Sequence, residues 1–211
     1  MTTIDVYFDF RSPYAYFASH RIRRGVSHAG IAFVWRPVAI DVLLNLQAGR
    51  EAFAPYIDPL SAAKRAHLIA DVRRLACYYD LPLRPPRPRR PNSIPALCLA
   101  ALLAEHQRAN FVSGVFDALW QEQQDIADAA VLARCLTEAG GPADALAGAF
   151  KATERAELAG RTADAYARGV FGVPSFVCDG EIFFGNDRLD LLLWTLERPR
   201  VAKPSQQWMR T

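Results

Sequence analysis

The chain contains no Cys-x-x-Cys pair, and its four cysteines, Cys77, Cys98, Cys135 and Cys178, stand far apart. They are expected to be reduced and mostly buried thiols, not a disulfide framework. No histidine lies near a cysteine at ligand spacing, so no metal centre is expected. There is no Gly-x-Ser-x-Gly elbow, and none of His20, His28, His67 and His106 has an evident triad context, which disfavours a serine hydrolase. No run reaches about 18 apolar residues, so no membrane span is expected. The net charge of +3 is too small to argue for nucleic acid. Met1 leads at once into a polar strand with no cationic or apolar leader, so the expected location is the cytoplasm. Half of the 211 residues are hydrophobic and 22% are charged, the balance of a globular protein with a real core.

The most informative stretch is the first. Ile4, Val6, Phe8 and Phe10 alternate with Asp5, Tyr7 and Asp9, the period of a strand over residues 4–10 with one dominant buried face. Ser12-Pro13 then reads as a helix start, with Ser as N-cap and Pro at the first helical position. The helix carries Tyr14, Phe17, Ala18 and Ile22 on one side, His20, Arg21 and Arg24 on others, and stops at Gly25. A hydroxyl therefore sits at a helix N-terminus, among unpaired N–H groups and the positive end of a dipole. Ser12 can be a plain cap, but the place also suits an anion, including a thiolate.

Ile31 to Trp35 reads as a second strand ended by Pro37, which makes a βαβ unit with parallel strands. From Asp41 to about residue 165 the pattern is helical. Ala62, Ala66, Ile69, Val72, Ala76 and Tyr79 share one face, as do Phe111, Val115 and Leu119. Asp128 reads as an N-cap for a helix ending at Gly140-Gly141, and Pro142 sits where another helix can begin. Residues 82–95 hold four arginines among six prolines and read as a stiff, solvated surface loop. Asn92-Ser93 at its end can cap the next helix or face a substrate. Ser175 to Cys178, the turn Asp179-Gly180 and Glu181 to Phe184 form a hairpin. A helix over 188–197 follows, with Leu189, Leu192, Leu193 and Leu196 inward. The tail from Pro199 has no periodicity and reads as a loosely held arm.

Two words carry a resemblance: Phe8-Asp9-Phe10-x-Ser12-Pro13-Tyr14-x-Tyr16, and Phe171-Gly172-Val173-Pro174 through Phe184-Gly185-Asn186-Asp187-Arg188. Together they resemble the glutathione-dependent 2-hydroxychromene-2-carboxylate isomerases and the related kappa-class glutathione transferases. The likeness is strong at both termini and weak in the helical middle. It implies an α/β protein of the DsbA-like thioredoxin type. Residues 1–40 and 166–198 would form the sheet domain, 41–165 a helical insertion and 199–211 a tail. The turn that would hold a redox pair reads Ser12-Pro13-Tyr14-Ala15, so it cannot run dithiol exchange.

The resemblance further implies glutathione as cofactor, a small aromatic carboxylate as substrate, a possible homodimer, and no nucleic-acid or membrane partner. Ser12 would donate to the glutathione sulfur. Val173, before a cis Pro174, would pair with the cysteinyl backbone by strand addition. Phe184, Gly185, Asn186 and Asp187 would hold the γ-glutamyl end, Asp187 through its α-amine. Arg11 and Asn92 are the substrate-side candidates. Two features depart from the family. Leu46 stands at the position of its substrate-side lysine, and its Asn-Arg pair is not found in residues 48–53. Arg50, Lys64 or an arginine of the 84–90 stretch could supply that charge. A kappa-like transferase and a non-catalytic thioredoxin-fold binding module are the alternatives; Asn186-Asp187 favours an enzyme that binds glutathione.

Overall fold

The computed structural model describes residues 1–25, 30–55, 57–58 and 60–198. His28 and the expected arm from Pro199 lie outside them. Strand β1 (Thr2–Phe8) is central in a four-stranded sheet of order β2-β1-β3-β4, with β2 (Ile31–Pro37), β3 (Ser175–Cys178) and β4 (Glu181–Phe184). β1 and β2 are parallel with Phe8 opposite Pro37, as the βαβ pattern required, and β3 is antiparallel to both its neighbours. Asp179 and Gly180 have φ of +51° and +80°. Positive φ at both turn residues matches the right-handed twist of the hairpin they join.

β1 ends two residues before the alternation does, because Asp9 leaves the ladder. Its carboxylate instead accepts the Arg11 N–H at 2.9 Å and the Ile40 N–H at 2.8 Å. The expectation of one dominant buried face also needs correction. Ile4, Val6, Phe8 and Phe10 are wholly buried, but Tyr7 and Asp9 on the other face are only 7% and 1% exposed. Val38, Ala165, Val170 and Val173 cover that second face. A central strand near the middle of a sheet is sandwiched, and alternation alone does not show the second cover.

The helices are α1 (Pro13–Arg23), α2 (Ile40–Gln47), α3 (Ala62–Tyr78), α4 (Ile94–Leu102), α5 (Glu105–Trp120), α6 (Ala129–Glu138), α7 (Ala145–Gly148), α8 (Ala152–Ala167) and α9 (Arg188–Leu196). An aromatic cluster ties α5 to the sheet. Phe8 meets Phe10 and Trp35 edge-on at 5.2 and 5.3 Å, and Phe10 meets Phe116 at 5.0 Å. Such pairs add about 0.5–1.5 kcal/mol each beyond their burial. Phe111, Val115 and Leu119 are fully buried, as their spacing predicted. The Trp120 Nε1–H donates to Phe10 O at 2.9 Å and closes the cluster. Asp128 caps α6 by accepting the Ala130 N–H at 2.7 Å. Leu189, Leu192 and Leu193 of α9 face inward. No helix of the described residues is long and apolar enough to cross a membrane.

Three elements differ from expectation. α1 is buried from Ala15 through His20, so His20 is inside, and burial pushes its pKa down to about 4. In α3 only Ala76 is buried; Ala62 and Ala66 are exposed and Ile69 is 50% exposed. The stripe packs only through its second half, where Val72, Leu75 and Tyr79 reach the core. Periodicity marks an apolar stripe but not what meets it. After Pro142 there is a turn, and helix resumes only at Ala145. The cysteines form no disulfide; Cys98, Cys135 and Cys178 are buried and Cys77 is exposed. Burial pushes the Cys98 and Cys135 thiols up to about 11, which keeps them inert.

Candidate active site

The turn at residues 9–12 carries the chain from β1 into α1. Ser12 is the N-cap of α1, with extended φ and ψ of −86° and 113° and Pro13 just inside the helix. Its Oγ accepts the Ala15 N–H at 3.2 Å and donates to Val173 O at 3.2 Å. The second contact is long for a hydroxyl donor, whose usual range centres near 2.7–2.8 Å. The Val173–Pro174 peptide is cis. Two residues far apart in sequence, the candidate hydroxyl and the residue before the cis proline, thus meet directly.

The hairpin is joined to the same place. The Gly185 N–H donates to Pro174 O at 2.9 Å, and Gly185 has φ of +108°, a conformation that costs other residues strain. Phe184 is 44% exposed and lies against Phe171, ring centroids 4.7 Å apart. A Cβ on Gly172 would stand 2.5 Å from the Phe184 ring, so glycine there lets the ring lie close against the turn.

Asp187 occupies the N-cap position of α9 but makes no capping hydrogen bond. Its side chain is 71% exposed and stands 3.6 Å from the Arg188 guanidinium. Asn186 has a different place. It is 2% exposed, its amide donates to the Tyr79 hydroxyl at 3.0 Å, and its backbone carbonyl accepts from Arg21 at 2.6 Å. Arg21 also pairs with Asp190 and lies over the Tyr79 ring at 5.3 Å. Asn186 therefore anchors the start of α9 to α1 and to the end of α3.

The two substrate-side candidates, Arg11 and Asn92, line one pocket of about 230 Å³ beside the turn, together with Asp9, Asp41 and Ser93. Arg11 pairs with Asp41 at 2.5 Å, and Asn92 Oδ1 accepts the Ile94 N–H at 3.1 Å at the start of α4. Arg50 is occupied elsewhere, with Asn45 Oδ1 at 3.1 Å and Pro55 O at 2.8 Å. Leu46 is partly buried and packs on the core.

Asp9 is the residue that sequence reasoning missed. Burial raises its pKa, while the Arg11 charge, the Arg11 and Ile40 N–H groups and the Ser93 hydroxyl pull the other way. Its backbone carbonyl accepts the Ser12 N–H at 3.0 Å. One residue thus holds the Ser12 turn to the starts of α2 and α4. An Asp two residues before an N–H it accepts is a recognisable turn signal, hidden here by the strand alternation. Tyr14, next to Pro13, donates to Asp71 Oδ2 at 2.9 Å; burial and then Asp71 push its pKa up. Among the described residues no group of three or more His, Cys, Asp or Glu side chains could hold a metal.

The strand, the Ser12 turn, the helix and the cis proline before the hairpin are arranged as in a thioredoxin-type fold. A model of the DSBA-like thioredoxin domain matches residues 3–197. The 2-hydroxychromene-2-carboxylate isomerase of Sphingobium xenophagum is 32% identical over 191 residues, covering 90% of this chain and 95% of that one. The chain belongs to the 2-hydroxychromene-2-carboxylate isomerase family. The enzyme of that name from Pseudomonas putida is also 32% identical, over 197 residues, 90% of this chain and 91% of its own. A solved 2-hydroxychromene-2-carboxylate isomerase superposes with a TM-score of 0.77 at 27% identity, covering 93% of this chain and 95% of that one. The family is one of isomerases, and the α/β thioredoxin-type fold expected from the two sequence words is the fold found.

Proposed function

We propose that this chain is a glutathione-dependent isomerase of an aromatic catabolic intermediate, of the 2-hydroxychromene-2-carboxylate type. The observation that carries the reading is the Ser12 hydroxyl at the N-terminus of α1, in contact with Val173 O. The donor set fits an extended tripeptide. Val173 offers backbone for strand pairing, Ser12 and the helix N-terminus favour an anion beside it, and Asp187 presents a carboxylate that caps no helix N–H. Bound glutathione would supply a thiolate nucleophile, added to the substrate and later expelled, so that a hindered rotation is split into easier steps.

The protein's part is to hold and aim. Ser12 has one proton, and here it is given to Val173 O over a long 3.2 Å contact. An N–H from a peptide ligand taking that carbonyl would free the proton to turn toward a neighbouring anion. Ser12 is then an orienting donor, and binding itself readies it. Phe171 and Phe184 form a half-exposed aromatic pair on the turn that carries Val173.

Glutathione at a hundredfold excess over its Kd should stabilise the fold by ~2.7 kcal/mol, a rise of several degrees in Tm. No shift at millimolar concentration would sink the reading. Asp187→Ala is expected to raise the glutathione Kd by roughly tenfold through loss of a charge-assisted contact. Its own Tm should barely move, because no capping bond is lost. Equal affinity in variant and wild type would remove Asp187 from the site.

A further inference from the structure

We propose that the pocket between β2 and α8 binds a phosphate group, held by Arg161 and Arg168 together with the Tyr7 hydroxyl. None of its lining residues belongs to the site around Ser12, and it does not rest on the isomerase reading.

The cavity measures about 310 Å³, within the range of small-molecule sites. Four arginines line it, Arg36, Arg108, Arg161 and Arg168, against two acids, Asp5 and Asp164. Two of the arginines are spent on the fold. Arg36 Nε donates to Asp5 at 2.8 Å. Arg108 donates to the carbonyls of Ala100, Trp35 and Leu103 at 2.8, 3.2 and 2.6 Å, and to Glu105 at 3.2 Å. The other two are not committed. Arg161 pairs with Glu157 at 3.6 Å, both side chains more than half exposed, and such a surface pair is worth little. The Arg168 side chain makes no hydrogen bond or ion pair among the described residues. Arg161 and Arg168 stand seven residues apart, about two turns, and so share one face at the end of α8. The last carbonyls there are closed by the Gly169 and Val170 N–H groups at 2.9 and 3.0 Å, so they do not meet an anion bare.

Tyr7 is the independent observation. It is only 7% exposed, yet its hydroxyl makes no hydrogen bond among the described residues. A buried tyrosine hydroxyl ordinarily finds a partner. Tyr7 lines the pocket, so its O–H is a donor left for whatever enters. A carboxylate is satisfied by one guanidinium fork. Two forks and a hydroxyl, from two separate elements, suit an anion with more oxygens and more charge, which is a phosphate group. Pro37, Val38, Ala101 and Ala165 add apolar wall that could meet the carbon part of a phosphomonoester. Asp5 is held by Arg36, which leaves Asp164 as the lining acid that opposes an anion.

The test is calorimetric titration of wild type, Y7F, R168Q, R73Q and D164N with inorganic phosphate and with phenyl phosphate. It is run at constant ionic strength in chloride, at about pH 8, above the second phosphate pKa of about 6. Arg73 is exposed on α3 and does not line the pocket, so R73Q controls for net charge. Wild type and R73Q should bind phosphate alike. R168Q and Y7F should each bind it about tenfold more weakly. The Y7F Tm should not fall, because the lost hydroxyl bonds nothing in the fold, and D164N should bind more tightly. A wild type that shows no binding above chloride overturns the proposal, as does an R168Q or Y7F that matches R73Q. Tighter binding of phenyl phosphate makes a phosphomonoester the ligand of the site, and equal binding makes it the free ion.

Discussion

Ser12→Ala is expected to cut turnover of 2-hydroxychromene-2-carboxylate by roughly ten- to a hundredfold while leaving glutathione affinity within a few-fold. On the proposed mechanism the hydroxyl would interact most strongly with the anionic glutathione sulfur, which is scarce in the free thiol and required for attack, so its loss would be felt in the transition state. A hydrogen bond to a charged group is worth about 1.5–3 kcal/mol, which gives the range quoted. The N-terminus of α1 would remain and, on the same mechanism, would keep some thiolate, so residual activity is expected. The variant also loses the cap on Ala15 and the link to Val173, at about 1 kcal/mol of stability. Ultraviolet titration of the bound thiol separates the two effects, because loss of a cap alone would not raise its pKa. A Ser12→Ala enzyme that titrates and turns over like wild type would leave Ser12 as a cap and nothing more.

Asp9→Ala should be the more damaging change to the fold, by about 3 kcal/mol, because it removes the buried acceptor of the part-buried Arg11 and Ile40 N–H groups and of the Ser93 hydroxyl together. Turnover at temperatures where the variant is still folded should fall as well, since the Ser12 turn loses its tie to α2 and α4. Asp9→Asn keeps one acceptor and should lose less. The pH dependence gives an independent check. Burial holds the Asp9 carboxyl above its ordinary 3.8, so ionising it opposes folding. Its contribution is therefore fully present below 3.8 and is lost as pH rises through the higher, folded value. Wild type should accordingly gain on Asp9→Asn as the pH is lowered through that window, in urea titrations run side by side. An unchanged difference across the window would show that Asp9 is not a titrating buried acid.

What the sequence determined by itself was local. The Ser12-Pro13 helix start, the Asp179-Gly180 turn, the Asp128 cap and the inward leucines of α9 are each written in a few adjacent residues, where dihedral preference and orphan N–H groups decide the outcome. The two family words lie at opposite ends of the chain, and they were legible because each is itself a short stretch. Tertiary structure decided what faces what. It covered the second face of β1, turned His20 inward, left half of the α3 stripe open, and drew Asn186 into a network with Arg21 and Tyr79. It also made Asp9, a polar beat in an alternating strand, the residue that ties the site together. Those outcomes depend on which surfaces approach across many tens of residues, and a pattern within one segment carries no information about the segment that will cover it.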